Sequence, residues 1–224
     1  MWRTHLWWRH SGPRCSTGKS SWSPTARSFP VTTRRSAFAS STPGPSRSTG
    51  QGFISICPSS SLEDQRRTVE TALRLGGRHL DVGQAPDDTH VVLADPGGNE
   101  LCVIEPGNNY LAETGQLGEV TCDGTRAVGL FWRDVLDWPL VWDENEQTAV
   151  QSPLGGTKIS WDAWARREVE PKKGRNRQRF DLVTADPATE AERLITLGAI
   201  RLSDLSDGVE LADPDGNEFG LHEA

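Results

Sequence analysis

After residue 52 the hydrophobic positions run through the same series of periods three times. The first block opens with an apolar strand (Phe53, Ile54, Ile56). Helical spacing follows over 63–75, where Val69, Ala72 and Leu73 share a face and Gly76-Gly77 supply the C-terminal break. A strand at 79–82 and a hairpin over 89–104 complete it. The second block has a strand at Glu119–Cys122 and a helix preceded by Asp123. Val128, Phe131, Trp132 and Val135 of that helix fall at i, i+3, i+4 and i+7, the pattern of a buried face. Strands at 139–143, 147–151 and 156–162 follow. In the third block a strand holds Phe180, Leu182 and Val183. Asp186 caps the next helix, Pro187 sits in its first turn, Ala191, Leu194 and Ile195 form its stripe, and Gly198 closes it. Strands at 199–203, 207–212 and 217–222 end the block. Each block predicts β-α-β-β-β, an α+β fold.

A sequence repeat supports this division. Ala94-Asp95-Pro96-Gly97-Gly98-Asn99-Glu100 returns as Ala212-Asp213-Pro214-Asp215-Gly216-Asn217-Glu218. Asp, then Pro, then Gly two residues on suit a type I turn, and apolar residues flank both copies, so each predicts a hairpin. The chain therefore holds copies of one structural unit.

Residues 1–52 do not share the pattern. They are rich in Ser, Arg, Thr, Pro and Trp and show neither strand alternation nor a helical stripe. A basic arm for an acidic partner and an Arg- and Ser-rich transit peptide are two readings, and Trp2, Trp7, Trp8, Trp22 and the prolines fit the second poorly. The favoured reading is an unstructured or out-of-frame segment standing where a first half-domain belongs. The expected division is then 1–52, a half domain at 53–106, a linker at 107–116 and a complete two-module domain at 117–224.

Charge narrows the function. The chain carries 24 Lys+Arg against 31 Asp+Glu, a formal charge of −7, which argues against a nucleic-acid surface. Residues 1–62 contain no acid, so the rest is strongly acidic. Cys15, Cys57, Cys102 and Cys122 lack metal-binding spacing and read as free thiols of a reducing, cytoplasmic compartment. No apolar run approaches the roughly 18–20 residues of a membrane helix.

Several stretches carry a family resemblance. Phe131-Trp132-Arg133-Asp134-Val135-Leu136-Asp137-Trp138 resembles the first helix of the vicinal oxygen chelate superfamily, the glyoxalase and bleomycin-resistance fold. Gly155-Gly156 precedes a last strand as in that family. Glu170–Arg177 followed by Phe180-Asp181-Leu182 resembles the crossover of actinobacterial glyoxalase-like domains, and both Asp-Pro turns match the family's last hairpin. The resemblance covers 53–224 and implies paired βαβββ modules forming a cupped sheet.

In the metal enzymes of this superfamily, four His, Gln or Glu ligands come from the first and last strands of two modules. The matching positions here are Cys102, Gly220 and Arg179, leaving Asp162 as an oxygen ligand. An arginine repels a cation and one carboxylate does not hold a catalytic metal, so no metal and no other cofactor is expected. No Ser-His-Asp spacing and no G-x-G-x-x-G loop is present. The expected function is metal-free binding of a small organic molecule on the concave sheet of 117–224. Its candidate site is Trp142 and Trp161 as aromatic walls, with Asp162, Arg177, Arg179 and Asp181 as polar anchors. The alternative is a metal-dependent lyase, isomerase or dioxygenase with a degenerate ligand set. A homodimer formed by module pairing would give the half domain its missing partner.

Overall fold

The computed structural model describes residues 31–35 (as backbone), 53–85, 87–162, 172 and 174–224. Strand β1 spans Val31–Arg35. The module after it runs β2 (Phe53–Cys57), α1 (Leu62–Arg74), β3 (Arg78–His79), β4 (Val91–Ala94) and β5 (Glu100–Val103). The next runs β6 (Glu119–Asp123), α2 (Arg126–Leu136), β7 (Leu140–Glu144), β8 (Gln147–Gln151) and β9 (Lys158–Asp162). The last runs β10 (Gln178–Thr184), α3 (Pro187–Leu197), β11 (Ile200–Leu205), β12 (Gly208–Ala212) and β13 (Glu218–Glu223).

Local chemistry sets the boundaries. Ser61, Thr125 and Asp186 cap the three helices by accepting the amides of Asp64, Val128 and Thr189. The two repeated turns share one geometry: Gly98 N–H donates to the Asp95 carbonyl and Gly216 N–H to the Asp213 carbonyl, each at 2.9 Å. Asp95 and Asp213 accept the amides of Asn99 and Asn217 at 2.8 and 2.9 Å. The strand expected at 79–82 is only two residues long, because Leu80 and Val82 turn away to pack against the face opposite the helices. Helix α1 buries only Gln65, so its expected Val69–Ala72–Leu73 stripe stays half-covered or exposed.

In each module the first strand lies parallel to the last, β2 with β5, β6 with β9 and β10 with β13. The pairing of modules differs from the expected division. β2 runs antiparallel to β6, with Phe53 opposite Cys122 and Ile56 opposite Glu119, giving an eight-stranded sheet β3-β4-β5-β2-β6-β9-β8-β7. The last module forms its own sheet, β1-β10-β13-β12-β11. The expected single concave sheet over 117–224 is therefore not formed. Residues 53–103 and 119–162 share one cup, joined through the antiparallel β2–β6 pair. β1 takes beside β10 the place that β2 takes beside β6, from Val31 opposite Leu182 to Arg35 opposite Gln178. Within the segment expected to be unstructured or out of frame, Val31–Arg35 is a strand, and the rest of 1–52 lies outside the described residues.

The two sheets meet through their helix-bearing sides. Trp132 of α2 is the centre: its ring stacks on Trp161 at 6.1 Å and meets Phe180 and Phe219 edge-on at 5.2 and 5.0 Å. Val128, Val135, Leu194, Leu211 and Leu221 complete this core, each fully buried aliphatic contributing about 1.5–3 kcal/mol. Phe53 stacks on Phe180 at 4.5 Å, and its N–H donates to Gln178 Oε1 at 2.9 Å, tying the seam.

Candidate functional site

Strand alternation decides which side chains face the cup. Val120 and Cys122 enter the helix-side core, so Glu119, Thr121 and Asp123 project to the opposite face. Directly paired residues share a face, which adds Lys158, Ser160 and Asp162 from β9, Ile54 and Ile56 from β2, and Cys102 from β5. Trp142 and Ala149 pair across β7 and β8 on the same side.

Half of this cup is filled by the chain itself. The segment after β5 crosses it with a one-turn helix, Asn109–Leu111, capped by Asn108 Oδ1 accepting the Leu111 amide at 3.1 Å. Leu111 is buried among Ile56, Val92 and Cys102, with Tyr110, Ile104, Ile54, Leu80 and Val82 against them. Tyr110 donates its hydroxyl proton to Glu119 Oε1 at 2.9 Å. The Lys158 ammonium donates to the Tyr110 carbonyl and lies 3.8 Å from the centre of its ring. The expected linker is therefore a plug as well as a connection.

The other half is more open. Trp142 is 39% exposed and meets Tyr110 edge-on at 5.9 Å. Below it Gln147 Nε2 donates to Asp162 Oδ2 at 2.8 Å, and Ser160 Oγ donates to Thr121 Oγ1 at 3.2 Å. Burial pushes the Glu119 carboxyl above its usual range, against hydrogen bonds from Ser160 and Tyr110. It also pushes Asp162 up, partly offset by Gln147, and pulls the Lys158 ammonium down. The same cause raises the Cys102 thiol to about 12 and Cys57 to about 11, leaving neither as a ready nucleophile.

The last module's sheet carries a different surface. Arg179 Nε pairs with Asp181 Oδ1 at 2.9 Å and its Nη1 with Glu210 Oε1 at 2.7 Å, and Arg175 also pairs with Glu210. The Arg175 hydrogen bond lowers the Glu210 carboxyl below its usual range. His222 lies between Asp181 at 3.4 Å and Asp207 at 3.2 Å. Gly220 makes room for this pair: a Cβ there would fall 2.3 Å from Asp181 Oδ1 and 2.5 Å from His222 Nε2.

The six expected site residues are thus not brought together. Trp142 and Asp162 face the shared cup, and Arg179 and Asp181 belong to the last module's ion network. Trp161 is 1% exposed and stacked under Trp132, so it is core rather than a wall; its place one residue from Ser160 puts it on the helix side. Arg177 donates to the Gly97 carbonyl at 2.8 Å and Asn99 Oδ1 at 2.9 Å, latching the first repeated turn. Tyr110, Glu119, Gln147 and Lys158 escaped the sequence reading. Alternation along β6 and β9 marks Glu119 and Lys158, whereas no local signal marks Tyr110.

These positions do not fit a divalent metal. Around the cup the paired first- and last-strand positions hold Ile56 with Cys102 and Glu119 with Lys158, and Asp123 and Asp162 lie further along the same face. In the last module Arg179 and Gly220 stand at the corresponding places. Among the described residues no group of three His, Cys, Asp or Glu is arranged to hold an ion. Nor, among them, is any helix long and apolar enough to cross a membrane.

The sequence pattern of the glyoxalase-like domain family matches residues 2–104 and 119–222. The chain belongs to this family. The second match runs from β6 to β13, whereas in space the modules at 53–103 and 119–162 share one sheet. No curated protein matches the chain. Among solved structures, glyoxalase I from Zea mays is similar over 78% of this chain and 68% of its own, at 17% identity and a TM-score of 0.52. A glyoxalase-related enzyme from Fulvimarina pelagi is similar over 49% of this chain and 88% of its own, at 18% identity and a TM-score of 0.38. An antibiotic binding protein from a Streptomyces species is similar over 47% of this chain and 92% of its own, at 17% identity and a TM-score of 0.36. At 17% identity the likeness to the Zea mays glyoxalase I is one of fold.

Proposed function

We propose that this glyoxalase-like protein binds a small organic molecule without metal chemistry, in the open half of the cup shared by 53–103 and 119–162. The observation that carries this is Trp142, an indole left 39% exposed on the cup face beside Tyr110 and above the Gln147–Asp162 pair. An aromatic wall with a few convergent polar groups is the common make-up of a small-molecule pocket. Asp162 and Gln147 would orient the ligand, with Thr121 and Ser160 as the next polar pair. The last module is the weaker candidate, since Arg179, Arg175, Asp181 and Glu210 neutralise one another. The donor set, with Lys158 beside Glu119 and Asp162 already held by Gln147, supports binding over metal-assisted lyase, isomerase or dioxygenase chemistry.

A thermal-shift screen of metabolites and antibiotics tests this, since a ligand selective for the folded form raises the melting temperature. A hit is expected to quench tryptophan fluorescence and to weaken by roughly tenfold or more in Trp142→Ala, as a lost aromatic contact of about 1.4 kcal/mol implies. A panel without a hit, or hits indifferent to both Trp142→Ala and Asp162→Asn, would reject the reading.

A further inference from the structure

The ends of the two sheets are protected unequally. The eight-stranded sheet ends at β3, only two residues long, and at β7, where Asp143 and Glu144 with nearby Glu146 would repel a second copy. Short strands and charge are common guards of a sheet edge. The five-stranded sheet ends at β11, six residues long, and among the described residues no strand pairs with its outer side. It presents Ile200 at 57% and Leu202 at 46% exposure.

The sequence of this edge is self-complementary. A bulge lies between Arg201 and Ser203. It places Arg201 opposite Leu211 and Asp204 opposite Val209, both on the core-side face, while Ile200 and Leu205 lie opposite Ala212 and Gly208 on the other face. Antiparallel pairing of two β11 strands about a two-fold axis between residues 202 and 203 would set Arg201 against Asp204 of the second copy, twice. It would set Ile200 against Leu205 of the second copy, also twice. Each opposed pair keeps to one face, as a two-fold interface requires. Within one chain Arg201 reaches Asp204 at 2.7 Å, both largely exposed, so the same two charges are positioned to exchange partners.

We propose that this edge is a dimerisation surface and that its partner is a second copy of the chain, joined through β11 into one continuous sheet. The expected contacts are main-chain hydrogen bonds along the strand, two crossed Arg201–Asp204 pairs and the covered Ile200 and Leu202. This interface differs from pairing of half-domains and is independent of ligand binding in the cup.

Sedimentation equilibrium on the full chain tests it. The native protein is expected to sediment as a dimer. Arg201→Asp or Asp204→Arg alone, which set four like charges together, should each weaken the dimer by roughly tenfold or more while leaving the melting transition in place. The deciding arm mixes the two variants. The first variant carries acids at both positions and the second carries arginines at both. Every 201–204 pair across the axis then joins opposite charges, so a heterodimer should form although the pair within each chain remains repulsive. Ile200→Lys should abolish association as a second route. A native chain that is monomeric at roughly 100 µM, well above the Kd of a stable dimer, would overturn the proposal. So would a dimer indifferent to Arg201→Asp, or a mixture that stays monomeric.

Discussion

Trp132 and Asp213 are joined by one hydrogen bond, the indole Nε1–H donating to Oδ2 at 3.2 Å across the boundary between two modules. Asp213 also accepts the amides of Asn217 at 2.9 Å and Asp215 at 3.0 Å, so the turn of the last module and helix α2 share one carboxylate. Asp95 caps the same turn in the earlier copy through Asn99. The repeat thus supplied a turn-forming Asp, and Trp132 uses it to dock the sheets.

That carboxylate makes stability depend on pH. Burial raises Asp213 to about 6, against hydrogen bonds from Asn217 and Trp132 that favour the ionised form. The unfolded value is about 3.9. A folded value above the unfolded one means the native state holds the proton more tightly. Its stabilisation is complete below about pH 4 and is lost as pH rises towards 6 and beyond. The loss is about 3 kcal/mol for a shift of about two units. Urea titrations of the native chain and Asp213→Asn should show their stability difference moving against the native chain by this order between pH 4 and 7. A difference that stays constant would rule the account out.

Helix α2 lies so close to β8 that Gly129 has no room for a side chain. A Cβ there would fall 1.7 Å from Thr148 Oγ1 and 2.7 Å from Thr148 Cβ. Alanine normally improves a helix interior by up to about 1 kcal/mol over glycine. Here overpacking should win, with a net cost of about 1–3 kcal/mol in Gly129→Ala. Adding Thr148→Ala should return part of it. Denaturant midpoints measure both, and a more stable Gly129→Ala protein would show that the helix moves freely away from the sheet.

Arg177 joins the crossover segment to the turn at Gly97–Asn99, while its neighbour Asn176 donates to Asn217 Oδ1 at 2.9 Å in the other repeat. Arg177→Ala should cost about 1–2 kcal/mol, the scale of hydrogen bonds from a charged donor. It should also speed amide exchange at Gly98 and Asn99 without affecting Gly216. Equal effects on both turns would contradict a local latch.

Much of the fold was legible because it rests on local periodicity. The α2 stripe, the Asp186-Pro187 start of α3 and the paired Asp-Pro turns all appear in the structure. Module pairing was not legible, since the β2–β6 and β1–β10 contacts depend on which first strands meet rather than on any one strand's pattern. The candidate site suffered for the same reason. Trp142 faces the cup and Trp161 the core because β7 and β9 present them on opposite faces, a difference of parity that counting tryptophans misses. Tyr110 lay in the segment read only as a linker.

Tyr110 ties that segment into the cup through Glu119, which gives a last prediction. Tyr110→Phe keeps the ring beneath Lys158 and removes the hydroxyl donor, leaving a nearly buried carboxyl with one hydrogen bond fewer. The expected loss is about 1–3 kcal/mol at neutral pH. Burial already raises Glu119 above its unfolded value, and losing a donor to the ionised form raises it further. Stability should therefore fall more steeply with rising pH in Tyr110→Phe than in the native chain, with the gap smallest in acid where Glu119 is protonated in both. The plug should also loosen, so the Trp142 emission should change with pH in the variant. A gap that does not vary with pH would mean that Tyr110 holds the segment by its ring and Lys158, with Glu119 uninvolved.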